Sequence, residues 1–321
     1  MKIVVTDCDH DGVEIERVCV EAAGGHLVRC QDARPEAVIE NAVGAHGILV
    51  QYAQITADVL DALPTLSVIS RYGVGVDTVD VAAATARGIA VCNVPDYATE
   101  AVSDHAIALT LSVVRDISGL DRRLRRGNTD ALKARPVHQI RGRFFGVVGA
   151  GAIGRATARK AQGLGFDVAL YDPALTPGTR TDEGFAVLDF KTLLSRSQVL
   201  SLHVPLTDDT YHLLNERTLA QLPEGAIVIN TARGGVVDTE ALSRALAERR
   251  LLGAGLDVFE DEPLPADHPL TGFERVTLTP HAGFYSEESF DTLKERTAQN
   301  AIDVIAGRRP AGLVNTQVKM R

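Results

Sequence analysis

Short apolar runs alternate with helical patterns along the first third of this chain. The apolar runs predict strands at residues 2–7, 26–30, 47–51, 67–71 and 90–94. Helical periodicity between these runs covers residues 12–23, 35–43, 57–63 and 79–87. A longer helix is predicted at residues 99–114, after the natural boundary at Pro95. Such alternation is typical of a parallel sheet with helices on both faces.

The alternation starts again near Arg143 and predicts a second α/β module. Strands are predicted at residues 144–148, 166–171, 199–204, 226–230, 253–258 and 276–279. Helices are predicted at residues 156–163, 216–222 and 239–249, and a last helix at residues 286–305. The chain therefore contains two open-sheet modules, and such sheets bind ligands beyond the carboxyl ends of their strands.

A glycine-rich loop joins the first strand of the second module to the helix that follows. The loop contains Gly149, Gly151 and Gly154, and Asp172 follows the next strand. The first glycine permits a tight turn, the second lets the backbone approach a pyrophosphate, and the third lets helix pack on strand. The helix N-terminus attracts the phosphates. A carboxylate at Asp172 can bind an adenosine ribose and repels a 2′-phosphate, which predicts NAD rather than NADP.

Composition and charge narrow the class of protein. The 321 residues carry a formal net charge of −9 and contain no Trp. A nucleic-acid binder needs a basic face and stacking aromatic residues, so nucleic acid is not an expected partner. No apolar run approaches the roughly 20 residues of a membrane span, and the N-terminus does not resemble a signal peptide. The four cysteines form no Cys-x-x-Cys pair, so we expect a cytoplasmic protein with reduced thiols.

Polar side chains suited to acid–base chemistry follow three strands of the second module. Arg233 follows the strand at 226–230, an acidic run that includes Glu262 follows the next, and His281 follows the last. Arginine can hold a carboxylate or carbonyl oxygen through two hydrogen bonds. Histidine can donate a proton to a developing alkoxide, and a nearby carboxylate stabilises its imidazolium form. With a nicotinamide to carry the hydride, this set fits the reduction of a 2-keto acid.

Five motifs, in order along nearly the whole chain, resemble those of the D-2-hydroxyacid dehydrogenase family. They are residues 71–77 (RYGVGVD), the glycine loop with Asp172, residues 230–234 (NTARG), residues 256–263 (LDVFEDEP) and residues 279–281 (TPH). The resemblance implies two Rossmann-like, doubly wound parallel-sheet α/β domains. The substrate domain would be discontinuous and flavodoxin-like, made of residues 1–98 plus 288–321. The NAD-binding domain would cover residues 99–287.

The resemblance also implies roles for single residues. Arg233, Glu262 and His281 would be the catalytic set, and the N–H groups of Val74 and Gly75 would hold the substrate carboxylate. The residues implied to lie around NAD are Gly149, Gly151, Ala152, Ile153, Gly154, Asp172, Val204, Pro205, Thr231, Ala232, Asp257 and His281. The partners would be a small 2-keto or 2-hydroxy acid and a second copy in a homodimer, with the helix from Thr99 at the interface.

Three aromatic residues, Tyr52, Tyr72 and Phe284, are predicted to line the substrate side-chain pocket and to favour apolar groups. Residues 88–95 and 280–287 resemble the C-terminal-binding-protein branch of the family, whose corepressors carry Trp where this chain has Phe284. Residues 51–53 lack an Arg that phosphoglycerate dehydrogenases use, which argues against a phosphorylated substrate. Glyoxylate, hydroxypyruvate, branched or aromatic keto acids and a specialised biosynthetic intermediate all fit.

Simpler interpretations compete with some of these assignments. Only the family's spacing selects Glu262 over Glu260, and His281 considered alone would be a buried, hydrogen-bonded histidine. His105 is predicted to pack inside an apolar helix, and His203 to lie near the cofactor without a catalytic role. As a whole, the chain could instead be an NADH-sensing interaction protein, like the corepressors, with slow hydride transfer.

The run Asp7-Cys8-Asp9-His10-Asp11 contains the residue types of a metal site. It follows a strand and leads into a helix, and adjacent residues on a strand point to opposite faces. We therefore predict no metal site.

Overall fold

The computed structural model of this chain describes residues 1–8, 10, 12–130, 132 and 136–319. The chain divides into two compact units, and each unit contains its own sheet. We name Met1–Ala98 with Ser286–Arg321 the split unit, and Thr99–Tyr285 the central unit. The central unit thus ends two residues before residue 287, the predicted end of the NAD-binding domain.

The regular elements are numbered in chain order. The strands are β1 (Lys2–Val5), β2 (His26–Arg29), β3 (Gly47–Val50), β4 (Val68–Arg71), β5 (Ala90–Cys92), β6 (Phe144–Val148), β7 (Asp167–Tyr171), β8 (Ala186–Val187), β9 (Val199–Leu202), β10 (Ala226–Asn230), β11 (Leu251–Leu256) and β12 (Val276–Leu278). The α-helices are α1 (Glu14–Ala22), α2 (Pro35–Ala42), α3 (Ala57–Asp61), α4 (Val81–Ala86), α5 (Thr99–Arg115), α6 (Ile117–Arg125), α7 (Ala152–Gly163), α8 (Phe190–Arg196), α9 (Glu216–Leu219), α10 (Thr239–Ala247) and α11 (Glu287–Ile305).

The split unit is built on a five-stranded parallel sheet in the order β2-β1-β3-β4-β5, which is the flavodoxin-like order. All four residues of β3 are buried, as expected for a parallel strand that is covered on both faces. Ile48 belongs to the core on one face of the sheet, and Leu49 belongs to the core on the other. The alternation of side chains along each strand thus feeds two separate cores.

The central unit contains a seven-stranded parallel sheet in the order β12-β11-β10-β9-β6-β7-β8. From β6 the chain runs first to one side, through β7 and β8, and then to the other side, from β9 to β12. This is the Rossmann order with one added strand, and the loop after β6 lies at the switch point where such sheets bind ligands. The two sheet orders confirm the predicted doubly wound α/β fold.

The C-terminal segment belongs to the split unit, where α11 contributes buried apolar residues to one of the two cores. Beyond α11, the buried Asn315 side chain connects the tail to β5 and α4. Its Oδ1 accepts a hydrogen bond from the Val91 N–H at 2.8 Å. Its Nδ2 donates to the Ile89 carbonyl and the Thr85 hydroxyl, both at 2.9 Å. A buried amide therefore holds the returning segment on the sheet.

Differences from the predicted elements lie mainly at their ends. Helix α7 begins at Ala152, four residues before the predicted start, because Gly154 in its first turn masks the helical pattern. Strand β11 lies two residues earlier than predicted, so Asp257 and Val258 belong to the loop beyond the sheet. The sequence patterns missed α6, which is separated from α5 by Asp116 in the left-handed conformation (φ 53°), and they also missed β8 and α8.

Two members of the run at residues 7–11, Asp9 and Asp11, lie outside the described residues. Within the described part of the chain, His, Cys, Asp and Glu side chains form no group of three that could hold a metal ion. No described helix is both long enough and apolar enough to cross a membrane.

We predict that Asn315→Ala destabilises the protein by about 2–4 kcal/mol, because the substitution leaves a buried N–H and a buried carbonyl without partners. Gln317→Ala is the matched control, since Gln317 lies exposed in the same tail. Chemical denaturation of both variants measures the difference. Equal stability of the two variants would contradict the role assigned to Asn315.

Candidate active site

The glycine loop after β6 forms a cradle that is crowded on one side and open on the other. Gly149 has a φ of 100°, and a Cβ there would lie 2.5 Å from the His203 carbonyl oxygen. A Cβ on Gly154 would clash with the Gly149 carbonyl, so helix and strand pack too closely for a side chain. Gly151 has open space instead, with no heavy atom within 4 Å of a Cβ. It is the N-cap of α7 and supplies no side-chain cap, so the helix N-terminus can receive a phosphate.

Asp172 is anchored beside this cradle at the end of β7. Its Oδ2 accepts a hydrogen bond from the Ala150 N–H at 2.8 Å, and its Oδ1 accepts one from the Ala174 N–H at 2.9 Å. Each carboxylate oxygen retains a second lone pair. The residue can therefore accept a ribose hydroxyl in the position that the NAD fingerprint requires.

Three further residues predicted near the cofactor lie on the loops after β9 and β10. Val204 is buried, and its Cγ1 would lie 3.1 Å from a Cβ on Gly149, while Pro205 is exposed. The buried Thr231 hydroxyl has no hydrogen-bond partner among the described residues. An unpaired buried hydroxyl carries a free-energy cost that a bound ligand would remove. The glycine loop, Asp172 and Thr231 thus fit a dinucleotide.

His203 also lies beside the glycine loop, in the loop after β9. Desolvation lowers its pKa to about 3, so the ring is neutral at physiological pH. Its Nε2 hydrogen-bonds with the Ser201 hydroxyl at 2.8 Å. A ring that does not titrate near neutrality is poorly suited to acid–base catalysis, which agrees with the prediction that His203 has no catalytic role.

Arg233 is held by the loop that follows β10. The buried Asn230 side chain donates to the Arg233 carbonyl at 2.9 Å and accepts from the Ala232 N–H at 3.0 Å. A Cβ on Gly234 would clash with the backbone at Phe259, so this loop packs directly against the loop after β11. The arginine is therefore fixed beside the acidic run of residues 260–262.

Glu262 and His281 form a hydrogen-bonded pair on the loops that follow neighbouring strands. Glu262 Oε2 lies 2.7 Å from His281 Nδ1, and Oε1 accepts the Phe259 N–H at 3.0 Å. Burial raises the pKa of Glu262, but the His281 and Phe259 hydrogen bonds and the Arg233 charge bring it below its ordinary value. Glu262 is therefore a carboxylate throughout the neutral range. Because Nδ1 is occupied, His281 Nε2 is left to exchange a proton with a substrate.

Glu260, the alternative in the acidic run, has different partners. One of its oxygens lies 2.6 Å from His212 Nε2, and the other accepts the Thr239 N–H at 2.9 Å. The geometry thus pairs Glu262, and not Glu260, with His281.

Asp257 holds the loop that carries His281. Its buried carboxylate accepts the N–H groups of Ala282 and Gly283 at 2.9 and 2.8 Å and the Thr279 hydroxyl at 2.6 Å. His105 of α5 approaches the same carboxylate at 3.3 Å and hydrogen-bonds with Thr279 at 2.8 Å. Despite the opposing effect of burial, these hydrogen bonds lower the pKa of Asp257. This network is absent from the sequence predictions, which place Asp257 near the cofactor and His105 packed inside an apolar helix.

The split unit contains four of the five remaining predicted substrate residues, Tyr52, Tyr72, Val74 and Gly75. Val74 is 46% exposed, and neither its N–H nor that of Gly75 donates to an acceptor within the part of the chain that the structure describes. Tyr52 is 53% exposed, and its N–H donates to the Asp7 carboxylate at 2.6 Å. The consecutive N–H groups of Val74 and Gly75 can therefore bind a carboxylate.

Tyr72 is placed differently from its prediction. Its side chain is only 2% exposed and its hydroxyl donates to the buried Glu16 at 2.8 Å. The ring belongs to the core of the split unit and presents no open surface to a substrate, so its predicted pocket role is not supported. Phe284 is partly exposed, with its ring centroid 6.4 Å from that of His281.

Comparison with known proteins agrees with this geometry. A family model described as D-isomer specific 2-hydroxyacid dehydrogenase, NAD binding domain, matches residues 107–283. The chain is 42% identical over 273 residues to a glyoxylate reductase from Thermofilum pendens, which covers 83% of this chain and 79% of that protein. It is 35% identical over 317 residues to D-3-phosphoglycerate dehydrogenase from Methanocaldococcus jannaschii, covering 98% of this chain and 59% of that protein.

A solved structure extends the similarity to the whole fold. The crystal structure of a glyoxylate reductase from Paecilomyes thermophila matches with a TM-score of 0.89 at 26% identity, over 99% of each chain. The family model covers more than half of the chain and includes the glycine loop and His281. The chain therefore belongs to the D-isomer-specific 2-hydroxyacid dehydrogenase family and is an NAD-dependent oxidoreductase that acts on the CH–OH group of 2-hydroxy acids.

Proposed function

We propose that this protein reduces small, unphosphorylated 2-keto acids with NADH and that glyoxylate is among its substrates. The observation that carries the proposal is the 2.7 Å pair between Glu262 and His281, with Arg233 held beside it. The relatives from Thermofilum pendens and Paecilomyes thermophila are named glyoxylate reductases, which supports a small keto acid. Residues 51–53 carry no arginine for a phosphate group, which supports an unphosphorylated one.

The proposed mechanism assigns one task to each residue. When bound, the nicotinamide supplies the hydride that reduces the keto carbon. His281 donates the Nε2 proton to the carbonyl oxygen, which becomes the hydroxyl of the product. Glu262 accepts a hydrogen bond from the Nδ1–H group of His281, so Nε2 is the ring atom that exchanges a proton. The negative charge of Glu262 also stabilises the protonated ring. Arg233 binds the carboxylate or carbonyl oxygen of the substrate.

Asp257, Thr279 and His105 act in this proposal through His281 rather than on the substrate. They hold the loop on both sides of the catalytic histidine, and none of them needs to exchange a proton. The N–H groups of Val74 and Gly75 are our proposed site for the substrate carboxylate, because both are free of acceptors among the described residues.

We also propose a homodimer. Ile117 and Leu124 of α6 are 56% and 61% exposed, directly after the predicted interface helix α5. Burial of these side chains against a second copy would remove apolar surface from water and favour association.

The first of three predictions from the proposed function concerns NADH binding. Gly151→Ala is expected to raise the Kd for NADH by about tenfold or more, because a Cβ would occupy the space open to the pyrophosphate. The melting temperature should not fall, since nothing in the protein lies within 4 Å of that Cβ. Gly163→Ala, at the other end of α7, is the control and should bind NADH normally. Equal affinity of both variants would contradict the proposed cradle.

The second prediction separates the two glutamates. Glu262→Gln is expected to lower kcat by about a hundredfold or more, because an amide cannot stabilise the charged imidazolium as a carboxylate does. Glu260→Gln should retain kcat, since Glu260 bonds His212 and Thr239. Steady-state kinetics and NADH titration of both variants provide the measurement. A normal kcat for Glu262→Gln, or equal losses in both variants, would exclude the proposed role of Glu262.

The third prediction concerns the substrate. In a panel of glyoxylate, hydroxypyruvate, pyruvate, 2-ketoisocaproate, phenylpyruvate and 3-phosphohydroxypyruvate, glyoxylate should be reduced with NADH at a kcat near the typical ~10 per second. The phosphorylated acid should react poorly, and His281→Asn should abolish turnover while NADH still binds. Tight NADH binding without turnover of any acid would instead favour the NADH-sensing alternative.

A further inference from the structure

A cavity lies at the amino-terminal edge of the central sheet, at the opposite ends of the strands from the glycine loop and His281. Its volume is about 980 Å³. Lining residues directly precede four of the strands: Arg143 before β6, Gln198 before β9, Gly225 before β10 and Arg275 before β12. None of these residues takes part in the proposed reaction.

Two arginines in this lining have buried guanidinium nitrogens without partners. Arg143 is 9% exposed, and its Nε and Nη1 are buried and bond to nothing in the described part of the chain. Arg275 has the same deficit at Nη1 and Nη2. Burial lowers the pKa of both side chains, and at Arg275 the charges of Asp116 and Glu274 offset only part of this effect; arginine nevertheless remains charged in proteins. A buried charge without a counter-ion is unfavourable, and proteins normally pair it or neutralise it.

The acidic residues at this cavity do not supply the missing partners. Glu224 and Glu274 line the cavity, but both are exposed. Glu274 bonds Arg123 at 3.1 Å, and neither glutamate forms an ion pair with Arg143 or Arg275 among the described residues. A third arginine, Arg249, also lines the cavity. The lining thus places three arginines around a space large enough for a small molecule, and two of them have buried nitrogens without hydrogen-bond partners.

We propose that this cavity is a binding site for a small free oxyanion, a phosphate or carboxylate group, held by Arg143 and Arg275. The planar guanidinium group matches both kinds of oxyanion through paired N–H donors. A bound anion would complete the hydrogen bonds that the two side chains lack.

The site is separate from the NAD phosphates. Strand β6 begins directly after Arg143 and ends at the glycine loop, and its five residues span roughly 16 Å. The anion should therefore bind together with NADH rather than in competition with it.

Thermal unfolding with inorganic phosphate as the probe tests the proposal. Saturating NADH occupies the nucleotide phosphate site, and potassium chloride at matched ionic strength controls for screening. Phosphate should raise the melting temperature of the wild type above the chloride control, by linkage to binding. In Arg143→Gln and in Arg275→Gln, half-saturation should move to about tenfold higher phosphate or more, the effect of losing a charged hydrogen bond. Arg217→Gln, an exposed arginine in the same unit, should respond like the wild type.

A wild-type response equal to that of the chloride control would overturn the proposal, as would an undiminished response in both cavity variants. If one cavity variant fails to fold, as judged by lost NADH binding, the phosphate response of the other variant tests the proposal. Light scattering across a concentration series measures the oligomeric state, and so tests whether a second copy of the chain, rather than a small anion, fills the cavity. A wild-type oligomer that phosphate dissociates, and that both cavity variants lose, would show that an acidic side chain of a second copy fills the site, which also overturns the small-anion proposal.

Discussion

The buried carboxylate of Asp257 is the interaction on which the geometry of the active site depends. It accepts the Thr279 hydroxyl before His281 and the N–H groups of Ala282 and Gly283 after it. The Asp257 carbonyl also accepts the His281 N–H at 2.7 Å. His281 adopts a left-handed φ of 54°, which is unfavourable for a residue with a Cβ. The surrounding hydrogen bonds maintain this conformation and direct the ring toward Glu262.

Sheet order supplies the second constraint. Strands β10, β11 and β12 are neighbours, so the loops that carry Arg233, Glu262 and His281 leave the same edge side by side. Strand β6 is the neighbour of β9 in the same sheet, so the glycine loop leaves the sheet at the same edge as the other loops. There it contacts the backbone of His203. A parallel sheet thus places at one edge residues that are far apart in sequence, such as Gly149 and His281, which are more than a hundred positions apart.

The sequence predicted those features that follow from strand position and from glycine geometry. Apolar periodicity located the strands, and the polar residues after them were Arg233, Glu262 and His281. The Asp257 network was not predictable, because the partners of this buried carboxylate depend on how α5 packs on the sheet. The apolar neighbours of His105 in sequence are the same whether its ring only fills space or also forms hydrogen bonds. Tyr72 shows the converse limit: this aromatic residue of a substrate motif is buried and donates its hydroxyl to Glu16 of α1, a contact that the motif itself does not indicate. The unpaired nitrogens of Arg143 likewise could not be predicted, because the sequence does not show that this side chain is buried.

We propose that this site transfers a hydride from the nicotinamide to a 2-keto acid, with His281 as the proton donor. Deuterium transfer tests it most directly. Glyoxylate is incubated with NADH deuterated at the transferable position of the nicotinamide, and the product is analysed by mass spectrometry. With this mechanism, the wild-type protein should form glycolate with one deuterium on C2, and His281→Asn should form none above background under the same conditions. Deuterated glycolate formed equally by both proteins, or by neither, would contradict it.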